Sequence, residues 1–156
     1  MVSCAMPLDD ADIGILNVLR RDARITNQEL AAKVGLSPSA CSRRIQRLQQ
    51  DGVISGYGAT IDEAALGRGM AVLIFITLSQ QSEEFLEAFE RAVRNSPGMR
   101  DGTIAECYLL SGRYDYMMRV AMRDMADYET FHKEQLSRLP GVARVETSFA
   151  MRNVAP

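Results

Sequence analysis

The stretch T-N-Q-E-L-A-A-K-V-G-L-S-P-S-A-C-S-R-R-I-Q-R-L, from Thr26 to Leu48, contains two helix starts and one tight turn. Thr26 followed by Glu29 is a capping box, in which each side chain satisfies a backbone N–H at the other end of the turn. Leu30, Ala31 and Val34 then share one helical face. Gly35 can take the left-handed conformation that ends a helix. Ser37 can cap the next helix, and Pro38 suits its first position, where no N–H is needed. Two short helices joined by a glycine turn form the helix-turn-helix pattern.

The second helix of the pair carries the functional signal. Cys41, Ile45 and Leu48 lie at i, i+4 and i+7 and must pack inward. The opposite face carries Ser39, Arg43, Gln46 and Gln50, flanked by Ser42 and Arg47, with Arg44 nearer the buried edge. Between Lys33 and Gln50 there are four cations and no Asp or Glu. Hydroxyl, amide and guanidinium groups bond phosphates and base edges in a major groove. Ser37, Ser39, Ser42, Arg43, Arg44, Gln46 and Arg47 are therefore the candidate contacts to double-stranded DNA. A solvated helix surface is the competing reading, and capping, turn and charge together weigh against it.

Upstream, Met1–Pro7 reads as a loose terminus. A helix to about Arg21 follows, with Asp9, Asp10 and Asp12 favouring its positive end. Ile13, Leu16 and Leu19, with Ile15 and Val18 beside them, predict its inward stripe. Three helices then enclose a small core. Val53–Asp62 is extended in character but glycine-rich, and reads as a wing, a connecting strand, or both. Arg20, Arg21 and Arg24 are either phosphate contacts or a hydrated helix end.

Net charge is −2 over 156 residues. That argues against a protein that coats polyanions and for a local basic surface. Residues 1–62 hold seven Lys/Arg and seven Asp/Glu, with the acids expected to lie away from residues 33–50. Cys4, Cys41 and Cys107 are widely spaced, which excludes a zinc motif or a disulfide framework. Cys41 and Cys107 fall in apolar patterns. The longest apolar run, Met70–Ile76, has strand length and cannot cross a membrane. A cytoplasmic protein without cofactor, metal or catalytic residues is expected.

Gly67-Arg68-Gly69 marks a change of period. Met70–Leu78 predicts a strand buried on both faces. Ser82 can cap a helix to about Asn95, with Phe85, Leu86, Phe89 and Val93 inward and Pro97-Gly98 as its stop. Thr103–Leu110 and Tyr116–Met122 read as strands joined by S-G-R-Y-D. A helix to Leu139 and a strand Val142–Met151 complete the order. S-P-G-M at Ser96 and L-P-G-V at Leu139 form a weak internal echo. Two split βαβ units predict a four-stranded antiparallel sheet with helices on one face. The bare second face calls for a second copy, and a dimer also suits paired recognition helices.

The fold class is thus α+β. A helix-turn-helix domain with linker strand (residues 1–62) is joined to a ferredoxin-like βαββαβ domain (residues 63–156). In this order the motifs resemble the Lrp/AsnC, or feast/famine, family of transcription factors. The resemblance rests on L-D-x-x-D (Leu8–Asp12), I-L-x-x-L (Ile15–Leu19), D-A-R (Asp22–Arg24) and L-S-P-S-x-C-x-R-R-I-x-R-L from Leu36. It extends through G-V-I-x-G-Y (Gly52–Tyr57), C-Y-x-x-S-G-x-Y-D-Y (Cys107–Tyr116) and L-P-G-V-x-x-V-E-T-S ending at Ser148, covering almost the whole chain.

The resemblance implies a transcriptional role, a small amino-acid effector, and assembly beyond a homodimer to a tetramer or octamer. It places the effector at Leu110, Ser111, Gly112, Tyr114, Asp115 and Tyr116; on the last helix, Gln135 either borders that pocket or is an interface glutamine. Chemically, a glycine turn offers amide N–H groups to a carboxylate, and Asp115 can accept from an ammonium. The plainer reading is a hairpin turn in which Asp115 bonds its own backbone. His132 and Gln135 are expected near the middle of the last helix's inward side, His132 as a satisfied core histidine. An architectural DNA-organising protein without effector is the main rival function. An enzyme lacks any supporting nucleophile–base pair, metal set or phosphate loop.

Overall fold

The computed structural model describes residues 7–152 and 154, so the expected loose terminus lies outside the described residues apart from Pro7. The chain divides into two compact units, residues 1–60 and 61–156.

The first unit holds three helices, α1 (Asp10–Arg21), α2 (Asn27–Lys33) and α3 (Pro38–Gln50). All three starts are capped by side chains, at Asp9, Thr26 and Ser37, and the Thr26/Glu29 capping box is formed in both directions. Gly35 leaves α2 at φ 69°, the left-handed conformation that turns the chain into α3 without a Cβ clash. Ile15, Leu30, Ala31, Cys41 and Leu48 form the core, with Leu16, Val18, Leu19, Ile45, Val53 and Ile54 packed around it.

Two expectations fail here. Ile13 is 46% exposed, because the buried stripe of α1 runs through Asp12 and Ile15 instead. Residues 53–62 form no strand. Val53 and Ile54 seal the core, and Ile54 donates to the Leu48 carbonyl at 3.0 Å. A glycine-rich segment without a pairing strand gains nothing from a ladder.

The second unit runs β1 (Met70–Leu78), α4 (Glu83–Arg94), α5 (Pro97–Arg100), β2 (Ile104–Leu109), β3 (Tyr116–Met122), α6 (Met125–Glu134), a 3-10 turn (Leu136–Arg138) and β4 (Val142–Phe149). The sheet order is β2-β3-β1-β4, antiparallel at every pairing, as two interleaved split βαβ units require. Val72, Ile74, Ile76 and Leu78 of β1 meet Phe89 and Val93 of α4 and Phe131 of α6 in the core. The alternate residues Ala71, Leu73, Phe75 and Thr77 are only half-buried. β1 is therefore buried on one face, not both.

Other boundaries differ for local reasons. Ser82 precedes α4, but its side chain accepts no capping hydrogen bond. α4 ends at Arg94, before Pro97-Gly98 as expected, but Pro97 also begins α5, since Ser96 caps it through the Met99 N–H. The sequence echo is not a structural one: Gly98 lies inside a helical turn, whereas Gly141 turns the chain at φ 74°. The last helix breaks at Gln135 into the 3-10 turn, and β4 ends at Phe149.

Candidate DNA-binding face and effector loop

α3 is fixed at both ends. Ser37 Oγ accepts the Ala40 N–H at 3.3 Å, and Asn27 of α2 donates to the Pro38 carbonyl at 2.8 Å. Near its end, Gln49 donates to the Tyr57 hydroxyl at 3.0 Å. Ser39, Arg43, Gln46 and Gln50 are exposed, and Ser42 is half-buried beside them.

Arg44 and Arg47 are placed differently from Arg43. Arg44 Nη1 donates to Asp9 at 2.7 and 2.8 Å and to Asp12 Oδ1 at 2.8 Å. Arg47 Nη2 donates to Asp12 Oδ2. Asp9 and Asp12 thus do not lie away from residues 33–50, contrary to expectation. They sit on the flank of α3 that faces α1. The Asp12 N–H, and after it Arg44, holds the Asp9 carboxyl below its ordinary range. Arg43, Arg44 and Arg47 still share a groove of about 340 Å³ with Leu36 and Ala40. Among the described residues no acid pairs with Arg43 or Lys33.

The Leu110–Asp115 connection leaves β2 and enters β3. Leu110 donates to the Asp115 carbonyl at 2.8 Å, and Asp115 N–H donates to the Ile76 carbonyl at 2.9 Å. Gly112 has φ 131°, and Ser111, Gly112 and Arg113 are exposed. The expected effector residues scatter from there. Asp115 is 7% exposed, and its carboxylate accepts the Leu78 N–H and the Gln81 amide, each at 2.7 Å. It bonds neither its own turn nor open space.

Tyr116 is buried on the helix side, stacked on Phe89 at 4.4 Å, with its hydroxyl donating to Glu90 at 3.1 Å. Burial, then this carboxylate, pushes its phenol up. Tyr114 lies on the other sheet face, 4.9 Å from the Phe75 ring, and donates to Glu146 at 2.6 Å. Arg113 stacks over Tyr114 at 5.1 Å and reaches Glu146 at 3.1 Å, and Arg144 pairs with Glu146 at 3.0 Å.

Gln135 is not brought to this loop. Its Oε1 accepts the Gly98 N–H at 3.0 Å, and a Cβ on Gly98 would lie 2.9 Å from Ile104. Ile104 opens β2, at the far end of the hairpin from Leu110, roughly 20 Å along the strand at the usual rise. His132 is exposed, with its ring edge-on to Tyr128 at 6.0 Å, because α6 turns Phe131 inward instead. Within the chain the face therefore unites Ser37, Ser39, Ser42, Arg43 and Gln46 around α3. The loop unites Leu110, Ser111 and Gly112, but separates Tyr114, Asp115, Tyr116 and Gln135.

Asp9, Asp12, Gln81, Glu90 and Glu146 were not among the candidate contacts. L-D-x-x-D and V-E-T-S contain three of them, but a capping carboxylate and one that also holds an arginine look alike in sequence.

A family model described as the Lrp/AsnC ligand binding domain matches residues 71–156, and one described as winged helix-turn-helix DNA-binding matches residues 8–55. The leucine-responsive regulatory protein of Escherichia coli is 39% identical, over 94% of this chain and 87% of that one. The Bkd operon transcriptional regulator of Pseudomonas aeruginosa is 36% identical, over 94% and 93%. Among solved structures, a transcriptional regulator from Neisseria meningitidis in an L-Met complex is similar at TM-score 0.85 and 30% identity, over 96% of this chain and 94% of that one. An AsnC family regulator from Agrobacterium tumefaciens is similar at TM-score 0.85 and 33% identity, over the same shares.

Proposed function

The chain belongs to the Lrp/AsnC family of transcriptional regulators, and from that premise we propose how it reads DNA and what it senses. α3 enters the major groove. Arg43 and Gln46 meet base edges, with Ser39 and Ser42 beside them. Ser37, Arg44 and Arg47 meet the phosphate backbone. The observation that carries this reading is the exposed side of α3, where Ser39, Arg43, Gln46 and Gln50 project with no acid among them. The protein is a regulator, not an enzyme, and works in the cytoplasm. No helix among the described residues is long and apolar enough to cross a membrane.

The effector is a small amino acid, as the leucine-responsive relative and the L-Met complex suggest for this family. Its carboxylate meets the amide N–H groups of the exposed Ser111–Arg113 turn. Because Tyr114, Asp115, Tyr116 and Gln135 do not converge in one subunit, their part in binding requires a neighbouring copy. The half-buried sheet face of Leu73 and Phe75 pairs two subunits into a homodimer, and dimers assemble further to a tetramer or octamer. An effector shifts DNA binding only by favouring one such arrangement over another.

The test has two arms. The full chain is used to enrich duplexes from a random-sequence pool. It is also melted with each of the twenty amino acids, where a ligand of the native state raises Tm. Enrichment of a defined sequence with stabilisation by one or a few amino acids supports the whole reading. Enrichment without any stabilisation leaves an architectural DNA-organising protein.

A further inference from the structure

Asp12 is 1% exposed, yet its carboxylate faces two guanidinium groups of α3. Resting on the reading of α3 as the DNA-facing helix, we propose that Asp12 is a positioning residue for recognition. It fixes the direction in which Arg44 and Arg47 leave α3, and so which phosphates they reach.

Three observations support this. First, the carboxylate is divided between the two arginines: Oδ1 accepts from Arg44 at 2.8 Å, Oδ2 from Arg47 and from the Asp9 N–H at 3.3 Å. Joining α1 to α3 requires one such pair. The second holds an arginine a turn further along the recognition helix. Second, the arginines remain 28% and 35% exposed and line one groove with Arg43. Each guanidinium has five N–H donors. Arg44 commits only Nη1 to the acids and Arg47 only Nη2, so donors remain for phosphate. Third, Asp12 is walled off by its own unit, and the anion is offset where it lies. The rotamer freedom that a phosphate contact would otherwise remove is already gone in the free protein, which is preorganisation.

Positioning and plain electrostatics predict opposite signs. Asp12→Asn removes a negative charge beside the DNA face, so Coulomb attraction alone strengthens binding to any duplex. Positioning predicts weaker binding to the selected sequence. The experiment compares Asp12→Asn, Asp12→Glu, Arg44→Ala, Arg47→Ala and the double variant of Asp12→Asn with Arg47→Ala in the full chain. It uses the duplex enriched by the wild type and a scrambled duplex of equal composition, across a salt series, with a thermal melt of each variant.

The expected result is that Asp12→Asn lowers affinity for the selected duplex about tenfold, one charge-assisted contact's worth, without weakening binding to the scrambled one. Asp12→Glu recovers part of the loss. Arg47→Ala costs less in the Asp12→Asn background than in the wild type, because the two act on one contact. If folded Asp12→Asn binds the selected duplex as well as or better than the wild type, the proposal is overturned. It is also overturned if Arg44→Ala and Arg47→Ala both leave that affinity unchanged. These two variants decide the matter should Asp12→Asn fail to fold. A wild type that enriches no duplex removes the DNA-facing reading itself, and is seen before any variant is made.

Discussion

The Asp115 carboxylate accepts the backbone N–H of Leu78 at 2.7 Å, joining the entry of β3 to the last residue of β1. The same carboxylate accepts from Gln81 just beyond, so a residue expected to meet an effector is engaged in holding the sheet. Asp115→Ala would leave a buried N–H unsatisfied and should destabilise the chain by about 2 kcal/mol. Asp115→Asn, which keeps an acceptor oxygen, should lose less. Urea unfolding followed by circular dichroism checks both, and equal stability of wild type and Asp115→Ala would contradict the structural role.

Arg43 is the arginine of α3 that no acid holds among the described residues, and Gln46 lies beside it on the exposed face. Truncating either should change which bases are preferred rather than general affinity. Arg43→Ala should flatten selection at one or two positions, by about 1–3 kcal/mol per base pair lost. Repeating the random-pool enrichment with each variant reads this directly. An unchanged consensus in both would place base readout elsewhere.

Gly98 is crowded, not conformationally special. An added Cβ would lie 2.9 and 3.0 Å from Ile104 and 3.1 Å from Gln135 Oε1. Gly98→Ala should therefore destabilise by about 1–3 kcal/mol through overpacking, and Ile104→Val should relieve part of it. A double-mutant cycle by chemical denaturation measures the coupling, and additive effects would rule out the contact.

Burial, with Glu90 nearby, pushes the Cys107 thiol up to about 11. At pH 8 roughly a thousandth is thiolate, so the group should react slowly with a disulfide reagent. The folded value lies above the unfolded one, so the associated stability is complete below the unfolded value near 9 and lost as pH rises towards 11. Stopped-flow modification in a Cys4→Ser background should accelerate about tenfold per pH unit across that window. A rate already saturated at pH 8 would contradict the shift.

What was legible in the sequence is what local rules decide. Thr26, Gly35, Ser37 and Pro38 announce themselves within one turn of chain, and the alternation of β1 with its flanking helices points to the sheet. What was not legible depends on partners distant in sequence. Asp12 as a capping group is a three-residue matter, but its hold on Arg44 and Arg47 spans more than thirty residues. Asp115 likewise finds Leu78 and Gln81, and Gln135 finds Gly98, across similar separations. His132 and Phe131 are adjacent on α6, and Phe131 joins the core beneath the sheet while His132 stays exposed.

The bare sheet face gives the last prediction. Leu73 pairs with Arg119 and Ser148, and Phe75 with Met117 and Glu146, on the side away from α4 and α6. Their half-burial leaves apolar surface that one subunit does not cover, and a second copy of the same face is the simplest complement. In a dimer paired through this face, Leu73→Glu would carry a carboxylate out of water on each side of the contact. The helix-side core, built on Val72 and Ile74, would be untouched. Light scattering should then give a dimer or larger for the wild type and a single chain for Leu73→Glu, with thermal melting showing that the variant is folded. Leu109→Glu, at the exposed end of the edge strand β2, should leave the pair intact. If Leu109→Glu dissociates the assembly and Leu73→Glu does not, subunits pair through the sheet edge and not through its face.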